Sequence, residues 1–402
     1  MDQLRFDTLT RTLGKRTNRR AGVIGAIGAM LGVAAAPETD AARKATRRHE
    51  KLACRNANSQ CFSDDECCSG SCVPKFGGTQ FRCAKRHAKK KHGGNGGGGA
   101  PTPPGPSCTV CANGCPYTTI EEALNDTPST PETVVITVGP GTYRPERLDP
   151  DAPAPLMIGT SMVLTACDLT QPMPTIDASA ITEGESLFFL GSLDEQFDCT
   201  QTATIIAIEN FTITGGTGIS AIIADCNTTW ALRGSIVENF SSSGAVIRHS
   251  AAQSGRLETC TIRNNTSSYD QGAIACSTST APYAVLELMN TLVTSNTSTS
   301  TGLRGAMIHA QSTLGVVLSG TTNIYNNVVS NSVFGGGVFV DTMLELRGSA
   351  QIVGNTGSAL GGGIYQHAGS TVIGVTSSNV NGNLATTCNN YYDGNTSGCV
   401  LG

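Results

Sequence analysis

Two phrases, GGVFVD at 336–341 and GGIYQH at 362–367, end on an aspartate and a histidine that hold the same place in each. If the phrases stack as neighbouring strands, Asp341 and His367 come about 5 Å apart at the backbone, the spacing of paired strands. A carboxylate beside an imidazole can orient the ring for base catalysis or help to hold a metal ion. The same count of five from the opening glycine gives His249, Ser277 and Ala310 in related phrases. No nucleophile falls beside the pair, so a solvated corner that tolerates polar residues is the plainer reading.

Three glutamates supply the other candidate chemistry. Glu258, Glu287 and Glu345 fall in short β-runs of successive or nearby units. Two carboxyl groups at a suitable separation are enough to hydrolyse a neutral glycan. Adjacent aspartates occur only at Asp64-Asp65, outside the repeats, and no motif calls for a metal or a cofactor.

The elements that would carry these residues are repeats. A glycine phrase opens at Gly244, Gly272, Gly305, Gly336 and Gly362, at intervals of 28, 33, 31 and 26. An aliphatic residue three before an asparagine recurs up to Asn239, Asn265, Asn296, Asn327, Asn355 and Asn383. The phrases alternate strictly, so each unit reads as one turn of a coil, with about three β-runs such as VFV, LEL and QIV. A single unit cannot hide its apolar face, whereas stacked units share one core and pair their strands in parallel. Asparagine suits the turn because it tolerates the left-handed conformation and its amide can bond to the next coil's amide. Glycine suits the next corner, where a Cβ would crowd the neighbouring coil. Five to nine residues separate each asparagine from the following glycine, a variable loop of the kind that carries recognition.

Composition and charge agree with such a fold. The 402 residues are 39% apolar and 5% aromatic, with 47 glycines, a profile of small and β-branched side chains. Residues 108–402 hold 8 arginines, no lysine and 23 acidic residues, a net −15 that would repel a polyanion. Residues 1–107 carry 19 Lys and Arg against 8 Asp and Glu.

The body opens with YTTIEEAL, where Thr119 and Glu122 make a capping box for a short helix, followed by the strand VVITV. This order resembles the start of right-handed parallel β-helices of the pectate-lyase-like superfamily. Over residues 236–383 the glycine and asparagine phrases resemble the GGA[ILV] and FxxN repeats of chlamydial polymorphic membrane proteins. Ile or Val stands where that family has phenylalanine, and CNNYYDGNTSGCVLG follows in place of its membrane barrel. The resemblance implies an all-β, right-handed parallel β-helix over 108–402 with a short capping helix, acting in adhesion. The superfamily's polyuronate enzymes use aspartate clusters and Gly-His-Gly or Arg-Ile-Lys strings, which are missing here. Cys108, Cys111 and Cys115 are expected to staple the cap, and Cys388 with Cys399 to tie off the last coil.

The N-terminal third divides differently. Arg19 and Arg20 precede a Gly/Ala-rich apolar run in residues 1–36 that resembles a twin-arginine export signal, an ordinary secretory signal being the alternative. Residues 37–53 form a basic linker. Cys54, Cys61, Cys67, Cys68, Cys72 and Cys83 follow with spacing C-x6-C-x5-C-C-x3-C-x10-C, which resembles an inhibitor cystine knot, or knottin. Six cysteines allow 15 pairings; the resemblance implies Cys54 with Cys68, Cys61 with Cys72 and Cys67 with Cys83. A basic, then Gly- and Pro-rich linker spans 84–107, without the interleaved aromatics that stack on nucleic-acid bases.

These features lead to an expectation of an exported protein, extracellular or held at the cell surface, with no membrane span in the mature chain. Its expected partner is an extracellular glycan or surface component, bound without catalysis and without nucleic acid. A polysaccharide hydrolase or lyase on the same scaffold is the alternative.

Overall fold

The computed structural model describes the backbone of residues 60–61, 72–74 and 81–83, and residues 108–127, 133–146, 154–181, 186–191, 203–225, 228–250, 252–268, 272–277, 285–300, 306–311, 315–332 and 334–401. The described residues fall into two units. In the smaller, Gln60–Cys61, Cys72–Pro74 and Phe81–Cys83 form an antiparallel sheet with Phe81–Cys83 in the middle. Cys54, Cys67 and Cys68 lie outside the described residues, as do the export signal and both linkers.

The larger unit is a parallel β-solenoid. One coil runs through Thr228–Arg233, Ile236–Glu238, Ser241–Ser242 and Ile247–Ser250 before the next begins at Ser254. Repetition stacks these strands into three long sheets of nine, nine and ten strands, and a short fourth of four. Alternation along each strand sends one set of side chains into the coil. On the first sheet Ile136, Leu164, Ile208, Leu232, Leu257, Leu288, Leu318 and Leu346 follow one another in register, each at most 6% exposed. Burying each such side chain contributes about 1.5–3 kcal/mol, and the stacking makes their burial mutual.

The corners explain the asparagines. Asn265, Asn296, Asn327 and Asn355 are at most 1% exposed. The Oδ1 of Asn296 accepts from the backbone N–H of Asn265 at 3.1 Å and from its Nδ2 at 2.9 Å. Its own Nδ2 donates to Ile262 O at 2.9 Å and to Asn327 Oδ1 at 3.0 Å, so all four capacities of the amide are used. The row continues through Asn383 to Asn390.

Asn239 does not belong to this row. Its neighbour in register is Asn264, and both have left-handed φ, 62° and 55°. The left-handed residue at this corner is the one before the buried amide: Ser295, Asn326, Gly354 and Gly382 follow in the same column. Phe240 takes the buried place in its coil, with its ring over Gly216, where a Cβ would lie 2.7 Å from the ring. The row therefore starts where the Phe240 N–H donates to Asn265 Oδ1.

A second buried row lines the other corner. Thr291 and Thr322 hydroxyls donate to Leu257 O and Leu288 O, each at 2.9 Å, and the Cys260 thiol to Leu232 O at 3.1 Å. The Thr322 hydroxyl also receives the Thr291 N–H at 3.2 Å. The glycine phrase answers to contact between coils: a Cβ on Gly336 would lie 2.1 Å from Gly362 O, and one on Gly362 2.4 Å from Leu384 O.

Both ends are finished by local devices. Helix Ile120–Asn125 is capped by Thr119, whose hydroxyl accepts from Glu122 N, while the Glu122 carboxylate reaches back to Thr118 N. Ile120 and Ala123 join the core. Disulfides link Cys108 to Cys167 and Cys111 to Cys115. At the other end Gly398–Leu401 folds back antiparallel on Tyr391–Asp393, and Cys388 pairs with Cys399.

Candidate functional site: the outer face of the third sheet

Polar residues belong on the outside of a solenoid, and one column breaks that rule. Along the third sheet Val338 and Val340 point into the main core, while Phe339 between them joins a separate cluster with Ala306 and Tyr365. In register with Phe339 stand Ala275 and His309 on one side and Tyr365 and Tyr392 on the other. Phe339, Tyr365 and Tyr392 stack with centroids 5.2 Å apart at each step, and Phe334 lies 4.4 Å from Tyr365. Phe334, Leu360 and Tyr392 remain partly exposed along the edge of this patch. Burial, and then the nearby Tyr392 and Asp341, push the Tyr365 phenol above its ordinary range.

Asp341 and His367 do meet here, at the corner that follows these strands. Their amides bond to Ala310 O and Val340 O of the preceding coils. His367 Nδ1 lies 3.4 Å from Asp341 Oδ1, and the His367 ring is half exposed. On the other oxygen, Oδ2, stands a residue that sequence reasoning missed, His309, with Nε2 at 3.8 Å. The His309 ring is 2% exposed and packs edge-on against Phe339 at 4.9 Å.

The count that placed His249 and Ala310 in the same column as Asp341 was out of register. Ile247, Ile274, Ile308, Val338 and Ile364 are true neighbours, and they follow their glycines by three, two, three, two and two residues. The extra residue moves His249 and Ala310 inward by one place. His249 lies inside the coil, fully buried, where its Nδ1 accepts from Trp230 Nε1 at 2.8 Å. Burial holds its pKa down to about 4.

The three glutamates do not form one cluster. Glu258 belongs to a different column from Glu287 and Glu345, which lie two strands apart with Val317 between. Each is met by arginine: Glu258 by Arg233 at 3.2 Å, Glu287 by Arg256 at 3.7 Å and Glu345 by Arg347 at 2.6 Å. Ser319 also donates to Glu287 at 2.8 Å. The hydrogen bond and charge of Arg347 hold the Glu345 carboxyl below its ordinary range, the wrong direction for a general acid.

A carboxyl shifted the other way lies at the N-terminal cap. Glu121 lines a cavity of about 230 Å³ with Thr118, Tyr143 and Arg144. Burial pushes its pKa up, although its Oε1 accepts from Glu146 N at 2.9 Å.

Comparison of the chain with family models, curated proteins and solved structures returns no match. The architecture itself defines the class, an all-β parallel solenoid closed by disulfides. No helix among the described residues is long and apolar enough to cross a membrane.

Proposed function

We propose that this is an exported or surface-held binding protein that engages an extracellular glycan or surface component without transforming it. The observation that carries the reading is the partly exposed edge of Phe334, Leu360 and Tyr392, held up by the buried Phe339 and Tyr365 and flanked by Asp341 and His367. It joins apolar edges to a few polar groups, the composition of a recognition surface. The net charge of −15 over 108–402 favours a neutral ligand over a polyanion. Export is supported by the three disulfides among the described residues of the body, a bond that forms in oxidising compartments. The three antiparallel strands of the smaller unit support the knottin reading, in which that unit provides a second contact.

A carbohydrate-active enzyme is the second reading, favoured by one observation: Glu121 is a buried acid with a raised pKa beside a cavity. Screening the purified chain against a panel of neutral and acidic glycans, for retention and for release of reducing ends, separates the two. Retention of neutral glycans without release supports binding; release that disappears with Glu121→Gln moves the protein to the enzyme class.

A further inference from the structure

We propose that His309, Asp341 and His367 form a site for a divalent transition-metal ion of zinc-like preference. The starting point is His309. Both of its ring nitrogens lack a hydrogen-bond partner although the side chain is 98% buried. Leaving a buried polar group unsatisfied costs about 1–3 kcal/mol, so such a ring signals a missing ligand. Its Nε2 lies 3.8 Å from Asp341 Oδ2, too far for a hydrogen bond. On the other carboxylate oxygen, His367 Nδ1 stands at 3.4 Å.

One imidazole beside each oxygen is the layout of a carboxylate that binds a metal through both oxygens with a histidine on either side. Bonds of about 2.0–2.2 Å place neighbouring ligand atoms roughly 3.3 Å apart. As they stand, no three such side chains among the described residues close on a metal position. The two gaps exceed the metal-bound spacing by only about 0.1–0.5 Å, and His367, with its side chain 51% exposed, is free to turn inward. Phe339 flanks both rings, with centroids 4.9 Å from His309 and 6.5 Å from His367, and so limits their tilt. Two imidazoles and one carboxylate select zinc, cobalt, nickel or copper over calcium and magnesium. Two imidazole nitrogens and both carboxylate oxygens make four donor atoms, so water or a ligand oxygen would enter as a fifth.

The test uses the full chain, stripped with a chelator and titrated with Zn²⁺ by calorimetry and with Co²⁺ by visible absorption. Because His87 and His92 in the basic segment can also take up metal, the readout is the difference between wild type and His367→Ala or Asp341→Asn. His367 is half exposed, so its replacement leaves the fold intact. The expected result is loss of one Zn²⁺ site per chain, or at least ten-fold weaker binding there, in both variants, with loss of the corresponding Co²⁺ band. Equal stoichiometry and affinity in all three proteins, or no binding by any, would overturn the proposal and leave plain Asp-His contacts.

Discussion

Asn296 and Asn327 are joined twice across one coil: the backbone N–H and the Nδ2 of Asn296 both donate to Asn327 Oδ1, each at 3.0 Å. A single side chain therefore satisfies a buried main-chain donor and a buried amide at once. Asn327→Ala removes that acceptor and also the Nδ2 that donates to Val293 O, while Asn355 Oδ1 keeps only the backbone N–H of residue 327. With about 1 kcal/mol or more for each group left buried and unpaired, the loss should reach roughly 3 kcal/mol. Asn239→Ala, at an exposed left-handed corner, should cost about 1 kcal/mol or less. Urea unfolding of both variants checks the contrast; equal losses would mean that the buried row is not what holds the coils in register.

The glycine phrase predicts a similar split. Gly272 has φ 63° and an added Cβ would lie 1.5 Å from Ala306 O, whereas at Gly244 the nearest atom is 3.9 Å away. Gly272→Ala should destabilise the chain by several kcal/mol and Gly244→Ala by less than about 1 kcal/mol. Thermal unfolding would show the first with a clearly lower midpoint and the second near wild type.

Much of the solenoid was legible because its corners demand particular residues. The asparagine and glycine phrases mark the coils from residue 236 onwards, since only small or amide side chains fit between stacked backbones. The coils through Val134–Val138, Met162–Ala166 and Thr204–Glu209 carry no such phrase. In the last of these coils Gly215 and Gly216 stand opposite Asn239 and Phe240, so the corner carries no buried amide. His309 was hidden for a different reason. Counting from the glycine assumes corners of constant length, and the added residue after Gly305 shifts the phrase by one place. The partner of Cys108 was hidden too, because sequence spacing does not show that Cys167 falls beside it one coil later.

His249 makes stability depend on pH. Its folded pKa of about 4 lies below the ordinary 6.5, so the unfolded chain takes up the proton first as pH falls. The stabilisation is complete above about pH 6.5 and is lost progressively down to about pH 4, by an amount on the order of 3 kcal/mol. His249→Gln keeps an acceptor for Trp230 and removes the titration. Unfolding measured at pH 7.5 and 4.5 should show a smaller drop for the variant; equal drops would place the acid sensitivity elsewhere.

Cys260 and Cys276 are buried thiols, and burial pushes both pKa values up, that of Cys260 to about 12. Thiolate is the reactive form, so neither should be alkylated in the native protein at pH 8. Peptide mapping after iodoacetamide should find both unmodified before denaturation and modified after it. Native labelling of Cys276 would show that the coil opens around the third sheet.

The central claim, recognition without chemistry at the partly exposed aromatic edge of Phe334 and Tyr392, is tested most directly by one paired assay on a glycan that the chain retains. Affinity and release of reducing ends are measured together for wild type, Tyr392→Ala, Phe334→Ala and Glu345→Ala. The account predicts saturable binding with no new reducing ends, at least ten-fold weaker in Tyr392→Ala and Phe334→Ala and unchanged in Glu345→Ala. Reducing ends that accumulate with wild type, with binding indifferent to the aromatic replacements, would contradict it.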